Sequence, residues 1–323
     1  MQRIAVLTSG GDAPGMNAAV RAIVRAGIAA DMQVYGVQNG YAGLLADEMT
    51  LLAARDVSGI LRRGGTFLGS ARCDEFHQRA GRERALDHLR ARQIGALVVI
   101  GGNGSQSGAH ALLEMGYPVV GVASTIDNDL EGTDITIGAD TAINVALEAI
   151  DRLKVTAASH RRAFLVETMG RDCGYVALMA GIAGGAEVVS LPEQELTPQE
   201  IAAELRAAYA RGKSHALAVV AEGARYPAQE LVRYFEEHRE ETGFSLRVTI
   251  LGHVQRGAAP TASDRLLASR LGAGAIRALE AGRSGVLVGL RSGQIALTPL
   301  EQIAGRTKTI DLGALPLAQV MAI

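Results

Sequence analysis

The chain has 323 residues, of which 48% are hydrophobic and 20% are charged, and its formal net charge is -2 at pH 7. This length allows two domains of ordinary size, and the near-neutral charge excludes an overall basic field that would attract nucleic acid. The only cysteines, Cys73 and Cys173, are too far apart in sequence for a disulfide framework or a cysteine metal motif, which fits a reducing cytoplasm.

The N-terminal sequence enters a strand-like run without the charged, apolar and small-residue regions of a signal peptide. No apolar run in the sequence approaches the length of a membrane span. We therefore expect a cytoplasmic protein without membrane or nucleic-acid partners.

Strand-like apolar runs alternate along the chain with segments of helical periodicity. The strand-like runs, in chain order, are "RIAVLTS", "QVYGVQ", "ALVVIGG", "PVVGVAS", "RAFLVETMG", "HALAVVAEG", "LRVTILGHV" and "SGVLVGLR". The helical segments include 15–30, 79–92, 140–157, 198–211 and 261–281. This alternation predicts an α/β fold with mostly parallel sheets and helices on both faces.

Ligands of such sheets bind beyond the carboxyl ends of the strands, and this is where the sequence becomes polar and rich in glycine. The segments concerned are 8–17, 62–72, 101–108, 124–129, 168–174, 221–225 and 252–257. A glycine turn followed by a helix can hold phosphate on free amides, although any tight strand-to-helix turn also favours glycine.

Two carboxylates, Asp127 and Asp129, follow a strand-like run and are separated by one residue, so both point the same way in extended backbone. One could take a proton and the other bind a metal ion, but an Asx-rich turn has the same composition. Several arginines lie near the predicted loops. If they converge, they would suit a phosphorylated ligand, and if they do not, they are ordinary solvated charges on the surface. These arginines are Arg72, Arg162, Arg171, Arg247 and Arg256.

Seven motifs together resemble the bacterial ATP-dependent 6-phosphofructokinase family (the phosphofructokinase A family). They are "TSGGDAPGMNA", "GGTFLGSAR", "IGGNGS", "TIDNDLEGTD", "EAIDRL", "ETMGR" and "LGHVQRG", in family order and spacing from about residue 3 to the last helix. The resemblance implies transfer of the γ-phosphoryl group of ATP to the 1-hydroxyl of fructose 6-phosphate, in glycolysis. It also implies a homotetramer whose active sites are shared between subunits.

The same resemblance implies two Rossmann-like domains with the active site in the cleft between them. The larger, ATP-binding domain would comprise residues 1–138 and 255–305, and the smaller, fructose 6-phosphate-binding domain residues 139–254 and 306–323.

Residue roles follow from the resemblance position by position. Asp127 would be the base, with Thr125 beside it, while Arg72 and Arg171 would stabilise the transferring phosphoryl group. Asp129 and Asn103 would bind Mg²⁺. The ATP site would include Gly11, Tyr41, Arg72, Cys73, Gly102, Asn103, Gly104 and Ser105. Substrate contacts would come from Thr125, Asp127, Met169, Gly170, Arg171, Glu222, His253 and Arg256, with Arg162 and Arg247 lent by a neighbouring subunit.

The effector site of this family, where ADP activates and phosphoenolpyruvate inhibits, is partly matched. Its residues would be Arg21, Arg25, Arg55, Lys154, Gly185, Glu187, Arg211, Lys213 and His215. Lys154 replaces the usual arginine and Ser214 a basic residue, so an anionic effector would lose one guanidinium fork and a positive charge.

Three departures concern the active site. Asn103 replaces an aspartate and removes a negative charge from the metal site, which predicts weakened but not abolished metal handling. Ser124 is neither the glycine of ATP enzymes nor the lysine of pyrophosphate enzymes, whereas Gly104 favours ATP. Ala258 replaces a glycine, and would be strained if the backbone φ there were positive. The alternatives are use of pyrophosphate as donor, or a weakly active or non-catalytic regulatory paralogue that binds sugar phosphate.

Overall fold

A computed structural model describes residues 2–160 and 163–322, without the side chains of Ala158 and His160. The chain forms two compact units. The first comprises Met1–Thr141 and Arg256–Lys308, and the second Ala142–Gln255 and Thr309–Ile323. The chain therefore passes between the units at three points.

The first unit is built on a mixed sheet. Its strands are β1 (Arg3–Thr8), β2 (Gln33–Val37), β3 (Met49–Leu51), β4 (Ala96–Gly101), β5 (Val119–Ala123), and two later strands that we label β10 (Val286–Arg291) and β11 (Gln294–Pro299). Their spatial order is β11-β10-β5-β4-β1-β2-β3. The five inner strands are parallel, and the edge strands β3 and β11 are antiparallel to their neighbours.

The second unit contains a sheet of four parallel strands. They are β6 (Ala163–Thr168), β7 (Val188–Ser190), β8 (Ala216–Ala221) and β9 (Leu246–Ile250), in the spatial order β7-β8-β6-β9.

The helices connect these strands. They are α1 (Met16–Ala29), α2 (Tyr41–Leu45), α3 (Arg79–Ala91), α4 (Asn103–Glu114), α5 (Ala139–His160), α6 (Tyr175–Gly184), α7 (Pro198–Ala210), α8 (Ala228–Glu237), α9 (Arg239–Thr242), α10 (Val254–Gly257), α11 (Ala262–Glu280) and α12 (Leu315–Met321). None of the helices described is long and apolar enough to cross a lipid bilayer.

Central strands are uninterrupted apolar runs because both of their faces are covered. Every residue of β4 and of β8 is buried. In the first unit, α1 packs against α11. The predicted α/β class with mostly parallel sheets is confirmed.

Candidate active site

Three parallel strands of the first unit end side by side. Thr8 of β1 pairs with Ile100 of β4, and Gly101 of β4 pairs with Ala123 of β5. The loops that follow these strands therefore begin at one edge of the sheet, which is where open α/β sheets bind ligands. They carry the first glycine loop, the "GGNGS" loop and the "TIDND" segment.

The loop after β4 leads directly into α4, whose N-cap is Gly102 and receives no side-chain cap among the described residues. The first amides of a helix have no intrahelical partner, so those of residues 103–105 and the helix dipole favour an anion here. A Cβ atom added at Gly104 would meet no atom within 4 Å. This open space above the first turn suits a phosphate chain.

Tyr41 holds the first turn of α4 through a hydrogen bond to its backbone. Its side chain is buried, stacks on Phe76 with ring centroids 4.0 Å apart, and donates a 2.7 Å hydrogen bond to the carbonyl oxygen of Ser105. Burial raises the pKa of its hydroxyl far above the usual range. Tyr41 is thus a neutral donor that fixes the loop.

The segment 63–72 crosses the end of β1. Thr8 Oγ1 donates to the carbonyl oxygen of Gly69 at 2.8 Å, and Ser70 Oγ donates to that of Gly10 at 2.6 Å. These bonds bring the "GGTFLGSAR" motif to the same sheet edge. Arg72 at its end is exposed, and Cys73 is half-buried.

Arg256 belongs to the first unit and lies against Gly11. A Cβ atom at position 11 would be only 2.6 Å from Arg256 Nη1, so a side chain there would displace the guanidinium group from its present position. Arg256 Nε is buried without a hydrogen-bond partner among the described residues. The structure therefore places these two predicted site residues together.

Asp127 follows β5 and its side chain is buried, with a relative exposure of 4%. Its backbone amide donates to Thr125 Oγ1 at 3.2 Å. Ser124, one of the departures, is buried and donates its hydroxyl to the carbonyl oxygen of Ile137 at 3.3 Å. It is therefore a packing residue of the loop.

Asn103 and Asp129 are in direct contact. Asn103 Nδ2 donates to Asp129 Oδ2 at 2.9 Å and to the Asp129 carbonyl oxygen at 3.2 Å. Asn103 Oδ1 is buried without a hydrogen-bond partner among the described residues. An unused amide oxygen beside a carboxylate is a donor set that fits Mg²⁺, which binds one or two protein oxygens and keeps substrate oxygens and water as its other ligands.

The described residues contain no group of three or more His, Cys, Asp or Glu side chains that could hold a metal ion.

In the second unit, the turn after β6 is held by one carboxylate. Glu222 Oε1 accepts from the amides of Gly170 at 3.1 Å and Arg171 at 2.8 Å. Arg171 has a left-handed backbone with φ 51°, and a Cβ atom at Gly223 would overlap its carbonyl oxygen. The guanidinium of Arg171 is thus carried on a tightly determined turn.

Two further carboxamide and carboxylate contacts surround this turn. Gln255 Oε1 accepts from the amide of Met169 at 2.8 Å. Burial raises the pKa of Glu167, and the negative charge of Glu222 raises it further, while a hydrogen bond from the amide of Ala228 opposes this.

The second unit carries further predicted sugar-phosphate residues. Arg247 on the edge strand β9 and His253 are exposed. Arg162 lies outside the described residues.

Several predicted effector residues do cluster in the second unit. Lys213 Nζ contacts Glu187 Oε1 at 2.9 Å, and both Lys213 and Arg211 donate to the carbonyl oxygen of Ala322, at 2.7 and 3.2 Å. Lys154 Nζ donates to the carbonyl oxygen of Gly185 at 3.2 Å. A cavity of about 340 Å³ adjoins the cluster and is lined in part by Glu187, Arg211 and Ala322.

His215 contacts Ser214 instead, with 3.3 Å between its Nδ1 and the serine Oγ. Arg21, Arg25 and Arg55 belong to the first unit. Burial lowers the pKa of Arg21, and the positive charge of Arg25 one helical turn away lowers it further.

The condition for strain at Ala258 is not met. Ala258 is not among the described residues with positive φ, so the replacement of glycine causes no backbone strain there.

Sequence analysis missed two residues that shape the loop after β5. Asn128 has φ 52°, is buried, and bonds across the loop. Lys308 reaches the same loop from 180 positions away in sequence. Asn128 could have been found from its place between two aspartates, but Lys308 carries no local motif.

Comparison with known proteins identifies relatives that match the whole chain. The family model described as "Phosphofructokinase" matches residues 3–279. An "ATP-dependent 6-phosphofructokinase 1" of Thermus thermophilus is 53% identical over the whole of both chains. The "ATP-dependent 6-phosphofructokinase" of Bacillus licheniformis is 47% identical, again over the whole of both chains.

Solved structures show the same fold. The phosphofructokinase of Pichia pastoris in the T-state superimposes with a TM-score of 0.89 at 38% identity, covering 99% of this chain and 37% of that one. A pyrophosphate-dependent phosphofructokinase of Marinobacter aquaeolei has a TM-score of 0.87 at 22% identity, covering 97% of this chain and 86% of that one, and at this identity it supports the fold alone.

The fold and the loops at the sheet edge define an α/β enzyme of the sugar-phosphate kinase type. The chain belongs to the phosphofructokinase family.

Proposed function

We propose that this protein is an ATP-dependent 6-phosphofructokinase, which converts fructose 6-phosphate and ATP into fructose 1,6-bisphosphate and ADP. The observation that carries the proposal is the buried carboxylate of Asp127 on the loop after β5, at the sheet edge where α4 presents its N-terminal amides. A base and a phosphate cradle are the two parts that phosphoryl transfer requires on the acceptor and donor sides.

Asp127 would accept the proton of the 1-hydroxyl as that oxygen bonds to the γ-phosphorus. The bond between the γ-phosphorus and the bridging oxygen then breaks, and its electron pair leaves with ADP. Because little covalent help is needed, the remaining task is to align the reactants and stabilise charge on the phosphoryl oxygens. We assign that second role to Arg72 and Arg171.

The nucleotide would lie along residues 102–105 and Gly11, with Cys73 near it. Tyr41 would act indirectly, because its hydroxyl is already used to hold the loop at Ser105. Asp129 and the free oxygen of Asn103 would hold Mg²⁺. When bound, this ion would neutralise charge on the phosphate oxygens.

The sugar phosphate would be recognised by the second unit through Met169, Gly170, Arg171, Glu222 and His253, and by Arg256 and Thr125 of the first unit. Arg162 and Arg247 would come from a neighbouring subunit of a homotetramer. The exposure of Arg247 on an edge strand supports this assignment. We place the enzyme in the cytoplasm.

ADP and phosphoenolpyruvate are the proposed effectors, bound by the cluster around Lys213 and Arg211 and by Arg21, Arg25 and Arg55. Glu187 and the Ala322 carbonyl oxygen already neutralise part of the positive charge of this cluster. We therefore expect weak anion binding there.

Pyrophosphate as the donor is not supported. The full-length relatives at 47–53% identity are named ATP-dependent, and the pyrophosphate-dependent structures are only 20–22% identical. One observation favours a weakly active, regulatory protein as the second candidate: the Asn103 amide already donates to Asp129, which lowers the need of that carboxylate for a cation.

A coupled assay that detects fructose 1,6-bisphosphate tests the proposal. Purified protein should form product with ATP and Mg²⁺ and none with pyrophosphate. Asp127→Asn should lower kcat by about 10²- to 10⁴-fold, whereas the exposed Asp87→Asn on α3 should change nothing. Equal rates for these two variants would contradict the role of Asp127, and absence of product with ATP would favour the regulatory candidate.

A further inference from the structure

The loop that carries Asp127 and Asp129 has no regular secondary structure between β5 and α5, apart from one bridge between Ser124 and Ile137. Because it contains no strand or helix, this loop is not fixed by a regular ladder of backbone hydrogen bonds. Asn103 holds the side chain of Asp129, and the amide of Asp134 donates to the carbonyl oxygen of Leu290. The remaining support of the two carboxylates comes from contacts that link the outgoing arm of the loop, residues 125–129, to its returning arm, residues 133–136.

Asn128 makes the first set of these contacts. Its Oδ1 accepts from the amide of Thr136 at 3.0 Å and from Thr136 Oγ1 at 3.3 Å, and its Nδ2 donates to the carbonyl oxygen of Asp134 at 3.2 Å. The side chain is buried and the backbone is left-handed. Asn128 thus ties the two arms together at the residue between the two aspartates.

Lys308 makes the second set, and it does so from outside the loop. Its Nζ lies 3.2 Å from Asn128 Oδ1, 3.0 Å from the carbonyl oxygen of Thr133 and 3.1 Å from that of Asp134. Its backbone amide donates to the carbonyl oxygen of Asp129 at 2.8 Å. An ammonium group has three donors, and here three acceptors from both arms surround it.

We propose that Lys308 is a positioning residue for phosphoryl transfer, which holds Asp127 and Asp129 in place by bracing the two arms of their loop. This inference rests on the proposed function. Lys308 is half-buried, and the ammonium is the only part of its side chain that can satisfy these oxygens. Without the ammonium group the arms lose three of the hydrogen bonds that fix them and can shift, and a displacement of about 1 Å at a reacting group costs roughly a hundredfold in rate.

A lysine suits this position better than an arginine. The ammonium is compact and directs three hydrogen bonds from one atom, whereas the guanidinium is a planar fork whose donors diverge. Lys308→Arg should therefore keep the charge but restore only part of the brace.

The test compares Lys308→Met and Lys308→Arg with Arg306→Met, which removes an exposed cation from the same segment. Each protein is assayed for kcat, for the KM of fructose 6-phosphate and for the Mg²⁺ concentration at half-maximal rate. Amide hydrogen exchange of residues 125–136 is measured without ligands.

For Lys308→Met we expect kcat to fall between tenfold and a hundredfold, the KM to stay within twofold, and the Mg²⁺ requirement to rise severalfold. Exchange in residues 125–136 should accelerate at least tenfold, while exchange in the second unit stays unchanged. The kcat and the exchange rates of Lys308→Arg should lie between those of Lys308→Met and those of the native protein. Arg306→Met should match the native protein.

Unchanged exchange in residues 125–136 of Lys308→Met would contradict the claim that Lys308 holds the two arms of the loop together. This outcome counts even if the native protein has no kinase activity. Faster exchange with an unchanged kcat would overturn the positioning role. Accelerated exchange throughout the chain, with kcat and KM impaired together, would make Lys308 a general stability residue and would also contradict the proposal. Absence of product from the native protein would instead refute the proposed function.

Discussion

Asn103 donates a 2.9 Å hydrogen bond from Nδ2 to Oδ2 of Asp129, so a neutral amide faces the carboxylate to which we assign the metal. The two residues are 26 positions apart: Asn103 is the first residue of α4, and Asp129 lies on the loop after β5. The amide satisfies Asp129 without a cation, whereas an aspartate at position 103 would oppose it with a second negative charge.

We predict that Asn103→Asp raises kcat with ATP and Mg²⁺ at least tenfold, because a second carboxylate strengthens binding of a divalent cation. Without metal, the repulsion of the two carboxylates should lower the melting temperature, and Mg²⁺ should raise it more than in the native protein. Thermal melts and steady-state rates measure both effects.

The matched control for that variant is Asn39→Asp, in which an exposed asparagine also faces a carboxylate, with 3.5 Å between its Nδ2 and Glu48 Oε2. It should show no gain in rate and no dependence on Mg²⁺. An Asn103→Asp protein that is no faster than the native one would contradict the weakened-metal account.

Gly104 provides a test of donor choice. A Cβ atom at this position meets no atom within 4 Å, and an acidic residue suits the first turn of a helix, so Gly104→Asp should fold normally. Its carboxylate would repel the phosphates of ATP, and like charges brought together cost several kcal/mol. We expect the KM for ATP to rise at least tenfold.

Gly104→Ala adds the Cβ atom without the charge and should leave the KM for ATP within about threefold. If Gly104→Asp is saturated by the same ATP concentration as the native protein, the phosphates do not pass over the first turn of α4.

Glu222 should act mainly by holding the turn of Arg171. Glu222→Ala removes the acceptor of the Gly170 and Arg171 amides, so kcat/KM for fructose 6-phosphate should fall about a hundredfold. Glu222→Gln keeps an acceptor oxygen and should retain kcat/KM within about fivefold. Steady-state kinetics, with the exposed Glu236→Ala as control, separates the two. A glutamine variant as poor as the alanine variant would show that the negative charge itself is required.

Asp264 should make stability depend on pH. Its carboxylate is buried and accepts from the amides of Gly138 and Thr141, each at 2.8 Å, and burial nevertheless raises its pKa. The folded state therefore binds a proton more tightly than the unfolded state does. The resulting stabilisation is complete below the ordinary carboxyl pKa and is lost as pH rises through the raised pKa of the folded state.

Asp264→Asn cannot titrate, so the melting temperature of the native protein relative to this variant should fall between pH 4 and pH 7. Circular dichroism melts across this range, with the exposed Asp87→Asn as reference, provide the measurement. A difference that stays constant or grows with pH would be inconsistent with a raised pKa.

The sequence predicts those parts of the fold whose pattern is local. The eight strand-like apolar runs all correspond to strands, because buried parallel strands need continuous apolar sequence. Edge strands β3, β7 and β11 escaped prediction, because β3 and β7 are three residues long and β11 contains polar residues and ends in proline. Helix α6 also escaped, because it is buried nearly all round and so lacks helical periodicity.

For the site, the glycine loops and the aspartate pair were predictable, since each lies directly after a strand-like run. The contacts that control them were not. Nothing near Lys308 in sequence indicates that it reaches Asn128, and nothing in "GGNGS" indicates that the Asn103 amide binds Asp129. Both contacts depend on which loops the sheet order brings together.

Phosphorus NMR of the reaction of ATP with fructose 6-phosphate, in the presence of Mg²⁺, tests the central claim most directly. The account predicts that the γ-phosphate resonance of ATP disappears while a second phosphate monoester, coupled to the two protons on carbon 1 of the sugar, appears in equal amount. Loss of the γ-phosphate only to inorganic phosphate, or no change in either resonance, would contradict it.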